Sequence, residues 1–232
     1  MRARDFDKKF DRGDSVSAEL DLSKETRLDQ EQRQVTTHTP TVIVLAGPNG
    51  AGKTTAAPRL LRDVFGVVEF VNADVIAQGL AGFNPEIAAL EAGTIMFDRI
   101  RQLGDLRRSF AFETTLASRS LAPWISELIQ TGYEFNLVFL WLPSADLAVQ
   151  RVADRVRLGG HNVPEDTVRR RYKRGLQNFF NLYQPLATAW RMYDNTDAVD
   201  MRLIAEGNKI AMTTISDRPL WEQIQKEYRH GN

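Results

Sequence analysis

The chain has 232 residues, enough to bury the core of one α/β domain with appendages, and its 30 Lys+Arg balance 30 Asp+Glu. That balance creates no global field toward nucleic acid or an anionic membrane. Cysteine is absent and histidine occurs three times, which excludes disulfides, thiolate catalysis and cysteine-built zinc sites and leaves little for a histidine-built one.

Residues 1–39 crowd charges of both signs around a few large apolar residues (Phe6, Phe10, Val16, Leu20, Leu22, Leu28), too few for a core of their own. The start is too charged for a secretory signal. No apolar run approaches the roughly 20 residues of a membrane span, so the expectation is a cytoplasmic protein. Thr41-Val42-Ile43-Val44-Leu45-Ala46 then reads as a buried parallel strand. It leads into Gly47-Pro48-Asn49-Gly50-Ala51-Gly52-Lys53-Thr54, which fits the phosphate-loop pattern G-x-x-x-x-G-K-[ST], and residues 54–65 read as a helix. In that context backbone N–H groups turn toward phosphate oxygens, and the helix dipole adds partial positive charge. The loop and the adjoining Thr55 are therefore expected to hold a nucleoside triphosphate. Lys53 would reach the β- and γ-phosphates and Thr54 would ligate Mg²⁺. Pro58, inside this helix, is expected to kink it.

Residues 67–71 read as the second strand, ending at Asn72-Ala73-Asp74. Asn84-Pro85 opens a helix to about Leu103. Residues 109–112 form a third strand that ends at Glu113-Thr114-Thr115. A helix follows over residues 121–131, with Gly132 at its end, then a strand over 135–142. Ser144 caps a helix reaching Gly159-Gly160, and Pro164 opens another toward Pro185. Residues 191–195 and 201–205 are weaker strands, and a helix spans residues 219–228. This alternation predicts an α/β P-loop NTPase fold over residues 40–232. A parallel sheet is flanked by helices, and ligands sit at the C-terminal strand edge.

Phosphoryl transfer needs an in-line acceptor, a proton sink and positive charge around the moving group. Asp74, about twenty residues beyond Lys53 at a strand end, is placed to take an acceptor hydroxyl's proton. Its alternative is to hold Mg²⁺ through water or to be a solvated turn residue. Glu113, with Thr115, is placed to orient the acceptor, and its alternative is an ion pair. Arg151, Arg155 and Arg157 lie on one helix, and Arg169, Arg170, Arg171, Lys173 and Arg174 on the next. Joined at Gly159-Gly160, residues 151–175 describe a basic helical lid over triphosphate, since guanidinium groups pair phosphate oxygens bidentately. His161 is expected to hydrogen-bond at that hinge.

Together, the loop 47–54, Asn72-Ala73-Asp74, Phe112-Glu113-Thr114-Thr115-Leu116 and Arg157-Leu158-Gly159-Gly160-His161-Asn162-Val163-Pro164 resemble the zeta toxin family over about residues 41–200. The resemblance implies an ATP- and Mg²⁺-dependent kinase acting on the sugar 3′-hydroxyl of UDP-N-acetylglucosamine or a related activated sugar. By it, Lys53 and Thr54 serve ATP and Mg²⁺, Asp74 is the base, and Glu113 and Thr115 position the amino sugar. Arg157 and Arg170 are implied as the pair that clamps the transferring phosphate. The runs Asp5-Phe6-Asp7-Lys8-Lys9-Phe10-Asp11 and Leu20-Asp21-Leu22-Ser23-Lys24 resemble the leader of small antitoxins of the BrnA/CopG type. They imply an antitoxin partner or restraint in cis by residues 1–39. Two alternatives stand beside this: a polynucleotide 5′-kinase whose arginines contact backbone phosphates, and a non-catalytic nucleotide-binding adaptor.

Overall fold

The computed structural model describes residues 39–64, 66–67, 69–82, 87–197, 200–209 and 214–229. The readings made on residues 1–38 and on Asn84-Pro85 lie outside them. The first strand, β1 (Thr41–Ala46), is apolar on both faces, and Val42 through Ala46 are fully buried, so this strand occupies the middle of a sheet. Full burial of each Val or Leu there contributes about 1.5–3 kcal/mol.

The sheet has seven strands in the order β2-β3-β1-β4-β5-β6-β7. The remaining strands are β2 (Phe70–Val71), β3 (Phe110–Thr114), β4 (Glu134–Trp141), β5 (Ala189–Asp194), β6 (Arg202–Asn208) and β7 (Thr214–Ile215). From β2 to β5 all pairings are parallel, as an alternating strand–helix chain requires. The expected parallel sheet does not continue further: β6 and β7 pair antiparallel. The seven residues 195–201 that join β5 to β6 are too few for a parallel crossover. The second strand is also shorter than the expected 67–71, being a two-residue edge strand.

Seven α-helices flank the sheet among the described residues. They are α1 (Lys53–Ala57), α2 (Ala73–Leu80), α3 (Ala89–Asp105), α4 (Leu121–Gln130), α5 (Ala145–Arg157), α6 (Glu165–Asn178) and α7 (Arg218–Tyr228). Pro58 marks a junction. Having no N–H, it coincides with the end of α1, and a wider π-helical turn, Pro58–Val64, takes over. Ser144 caps α5 by accepting from the Leu147 N–H at 3.1 Å, and Gly132 closes α4 with φ of 93°. No helix among the described residues is long and apolar enough to cross a membrane.

Candidate active site

Strand register decides which side chains meet at the C-terminal edge. Ala46 pairs with Thr114, Leu45 with Glu113, and Val71 with Phe112. The loop after β1, the turn after β2 and the end of β3 therefore converge. Gly52, the residue before α1, has φ of 77°, and a Cβ there would lie 2.9 Å from the Asn195 amide nitrogen. Glycine alone accommodates both constraints. Asn195 is itself buried and donates 2.7 Å to the Ala51 carbonyl, which fastens the loop to the end of β5. Arg151 reaches the same segment, donating to the carbonyls of Asn195 (2.9 Å) and Thr196 (2.6 Å).

Lys53 is buried. Its ammonium spans its own loop, donating to the carbonyls of Gly47 (3.0 Å) and Pro48 (2.9 Å), and lies 3.7 Å from Glu113 Oε1. Burial pulls its pKa below the ordinary lysine value, with Glu113 and then Asp74 opposing that shift. Glu113 Oε2 accepts two bonds, from Thr54 Oγ1 at 2.9 Å and from Asn72 Nδ2 at 2.8 Å. Asn72 Oδ1 accepts from the N–H groups of Asp74 (2.8 Å) and Val75 (3.4 Å), so the same side chain caps α2.

The paired Thr54 and Glu113 oxygens suit Mg²⁺, a hard cation that takes oxygen ligands and completes its shell with phosphate oxygens and water. Among the described residues no group of three or more His, Cys, Asp or Glu could hold a metal by protein ligands alone. The fit is that of a cation arriving with a triphosphate.

A cleft of about 590 Å³ opens here, lined by Asn49, Gly50, Gly52, Lys53, Thr54 and Thr55 from the loop region, and by Asp74, Glu113 and Thr115. From α5, the turn after it and α6, the residues on its wall are Arg151, Arg155, His161 and Arg171. Arg157 and Arg170 are not among the lining residues. Helical phase accounts for this. Helix α5 buries Ala148 and Val152, and Arg155 continues that stripe, whereas Arg157 projects two residues further round. Arg157 is largely exposed and pairs with Asp154. On α6 the buried residues include Val168, Tyr172 and Gly175; Arg171 adjoins that face, and Arg170 is exposed, donating 3.2 Å to Thr167 Oγ1. Burial lowers the Arg171 pKa, Arg170 adds to the effect, and Asp74 opposes it.

The Gly159-Gly160 pair has a local reason. Gly159 has φ of 83°, and a Cβ on Gly160 would fall 2.5 Å from Arg155 Cγ. The turn therefore lets Arg155 lie across it and donate to the His161 carbonyl at 2.7 Å. The hinge bond at His161 is made by its backbone. Asn49 Oδ1, Arg155 Nε and His161 Nδ1 are buried on this cleft wall without a protein partner, leaving hydrogen-bonding capacity for a ligand.

Thr115 stands in a loop held from below. Its carbonyl faces Gly175, Leu116 is buried with φ of 55°, and Asn178 Nδ2 donates to the Leu116 carbonyl at 2.7 Å. Asn72 and Asn195 are the residues that sequence reasoning gave no role in the site, and of the basic cluster it is Arg151, Arg155 and Arg171, not the implied pair Arg157 and Arg170, that line the cleft. An asparagine just before a strand-to-helix turn is a cap signal that pointed to Asn72.

A family model described as "AAA domain" matches residues 42–182. An uncharacterized protein of Haemophilus influenzae is 27% identical over 130 residues, covering 56% of this chain and 91% of that protein. The crystal structure of AvrRxo1-ORF1:-ORF2 with ATP matches with a TM-score of 0.65 and 16% identity, covering 84% of this chain. This chain spans only 65% of the length of that chain. The structure of the PezAT chromosomal toxin-antitoxin system of Streptococcus pneumoniae matches with a TM-score of 0.56 and 14% identity, covering 94% of this chain and 91% of that chain. These structural likenesses concern the fold.

Proposed function

The chain belongs to the AAA domain family, and on that premise we propose that it is a kinase that transfers the γ-phosphoryl group of ATP to an alcohol. The carrying observation is that one cleft holds the phosphate loop, Asp74 from the first turn of α2, Glu113 from β3 and the arginines Arg151, Arg155 and Arg171. The likeness to a fold solved with ATP supports the nucleotide. Lys53 and Thr54 bind the triphosphate tail; Thr54, with Glu113 beside it, would hold Mg²⁺, which would supply charge neutralisation at the phosphates. Asp74 accepts the proton of the acceptor hydroxyl. The alcohol oxygen bonds to the γ-phosphorus as the bond to the ADP oxygen breaks, and ADP leaves. Arg155 and Arg171 are assigned to the charge on the moving group, in place of Arg157 and Arg170.

The acceptor we assign is UDP-N-acetylglucosamine or a related activated sugar, positioned by Thr115 and the outer edge of Glu113. The resemblance of the motifs to zeta toxins supports this, and the likeness to the fold of a toxin-antitoxin system agrees with an antitoxin partner or with restraint by residues 1–39. The test incubates the full chain with ATP, Mg²⁺ and either UDP-N-acetylglucosamine or a metabolite extract, with mass spectrometry of the products. A new phosphorylated metabolite is expected, and Asp74→Asn should abolish it while ATP affinity stays within a few-fold. Failure of the wild-type chain to phosphorylate anything, or near-normal turnover by Asp74→Asn, overturns the reading.

A further inference from the structure

One buried side chain meets Glu113, Thr54 and the backbone of Asp74 and has no role in the scheme above. Asn72 is 5% exposed and sits between the end of β2 and the start of α2. Its carbonyl oxygen accepts from the Asp74 and Val75 N–H groups, which fixes the first turn of the helix carrying Asp74. Its amide nitrogen donates 2.8 Å to Glu113 Oε2 and lies 3.5 Å from Thr54 Oγ1. An asparagine is suited to this because its two ends differ, one accepting and the other donating. Aspartate, serine or threonine would cap α2 equally well. None of them in its usual state offers an amide N–H to a carboxylate on the neighbouring strand.

We propose that Asn72 is a positioning residue for phosphoryl transfer: it holds Glu113 against Thr54 and, through the same side chain, sets where Asp74 stands. The proposal rests on the kinase reading for its catalytic part only. Glu113 lies within reach of the Lys53 ammonium, and a carboxylate between Lys53 and Thr54 has more than one place to swing. The Asn72 amide removes that freedom by occupying one lone pair of Oε2. The proton-donating atom of the acceptor then meets Asp74 on a helix whose start is anchored to the same acid. Supporting groups of this kind, one bond behind a catalytic or cation-holding residue, change affinity or rate by about 10- to 100-fold when removed.

The test uses Asn72→Asp and Asn72→Ser in the full chain. Both keep an oxygen that can cap α2, so the Asn72→Ser melting temperature should stay close to wild type, whereas Asn72→Asp also sets a second carboxylate against Glu113 and should melt lower. Both lose the amide donor. At saturating ATP, kcat is expected to fall about 10- to 100-fold while the KM for ATP changes only a few-fold, and the Mg²⁺ concentration giving half-maximal rate should rise.

A second arm does not depend on turnover. Calorimetry of ATP binding with and without Mg²⁺ should show a several-fold smaller Mg²⁺ enhancement in Asn72→Ser than in wild type. If wild type binds MgATP but transfers nothing, the kinase reading fails and this arm still decides the clamp. Equal Mg²⁺ enhancement in wild type and variant, or a loss confined to melting temperature, overturns the proposal.

Discussion

The Thr54 hydroxyl donates to the Glu113 carboxylate at 2.9 Å although the two residues lie 59 positions apart, on the phosphate loop and at the end of the neighbouring strand. Parallel pairing of Leu45 with Glu113 makes the meeting unavoidable once β1 and β3 are adjacent. It puts an acid beside the hydroxyl that we propose would face Mg²⁺.

Glu113→Gln tests whether that acid serves the cation, the acceptor, or both. The amide keeps the size and can still accept from Asn72, but it carries no charge toward Lys53 or Mg²⁺. A role at the cation predicts a rate loss of about 10- to 100-fold with a raised Mg²⁺ requirement. A role confined to acceptor orientation predicts a raised acceptor KM and an unchanged Mg²⁺ requirement. Steady-state kinetics with Mg²⁺ and acceptor varied separately distinguishes the two.

Lys53 should set an early alkaline limit. Its pKa in the free enzyme is lowered by burial, so its charge is complete at low pH and is lost on rising through a value beneath the ordinary 10.5. Bound triphosphate favours the charged form and moves the value back up. The alkaline limb of kcat/KM for ATP, which reports the free enzyme, should therefore lie at lower pH than the limb of kcat. Coincident limbs would remove the ammonium from the ionisation that controls activity.

How far the chain could be read in advance differs by element. The structure brings the loop 47–54, Asp74 and Glu113 to one cleft, as expected from their places at or just beyond strands, where apolar runs stop abruptly. Pairing direction past β5 was not legible, because a short connection matters more than strand composition. The arginines implied by the resemblance, Arg157 and Arg170, lie off the cleft wall that Arg155 and Arg171 line, for a related reason. A motif resemblance counts residues along the chain, whereas a helix presents them by angle, and Arg155 and Arg157 differ in that angle by two residues. Asn195 left no local signal at all, since its partner Ala51 is 144 positions away.

The arginine assignment predicts opposite outcomes for neighbouring substitutions. Arg155→Ala and Arg171→Ala should each lower kcat by about 10³-fold if they meet the transferring group. Arg157→Ala and Arg170→Ala, at exposed positions, should leave kcat within about threefold. The reverse ranking in single-turnover measurements would return the role to Arg157 and Arg170 and would imply that the lid rotates when nucleotide binds.

Gly175 offers a way to move the acceptor side without touching a polar group. A Cβ at this position of α6 would lie 2.4 Å from the Thr115 carbonyl oxygen, closer than real contacts permit. The methyl of Gly175→Ala must therefore push either the helix or the loop 114–118 away. The loop has less freedom than its location implies: Leu116 is buried in a left-handed conformation, Asn178 holds its carbonyl, and Tyr183 donates to the Ser118 carbonyl at 2.7 Å. Strain of this kind persists only where neighbours over-determine it. Displacing Thr115 should raise the acceptor KM several-fold and cost stability through overpacking, about 1–3 kcal/mol. The KM for ATP should hold, because the phosphate loop is fastened to the opposite side by Asn195. If ATP and acceptor KM rose together, the two halves of the cleft would not be mechanically separate, and Thr115 could not be assigned to the acceptor on this ground.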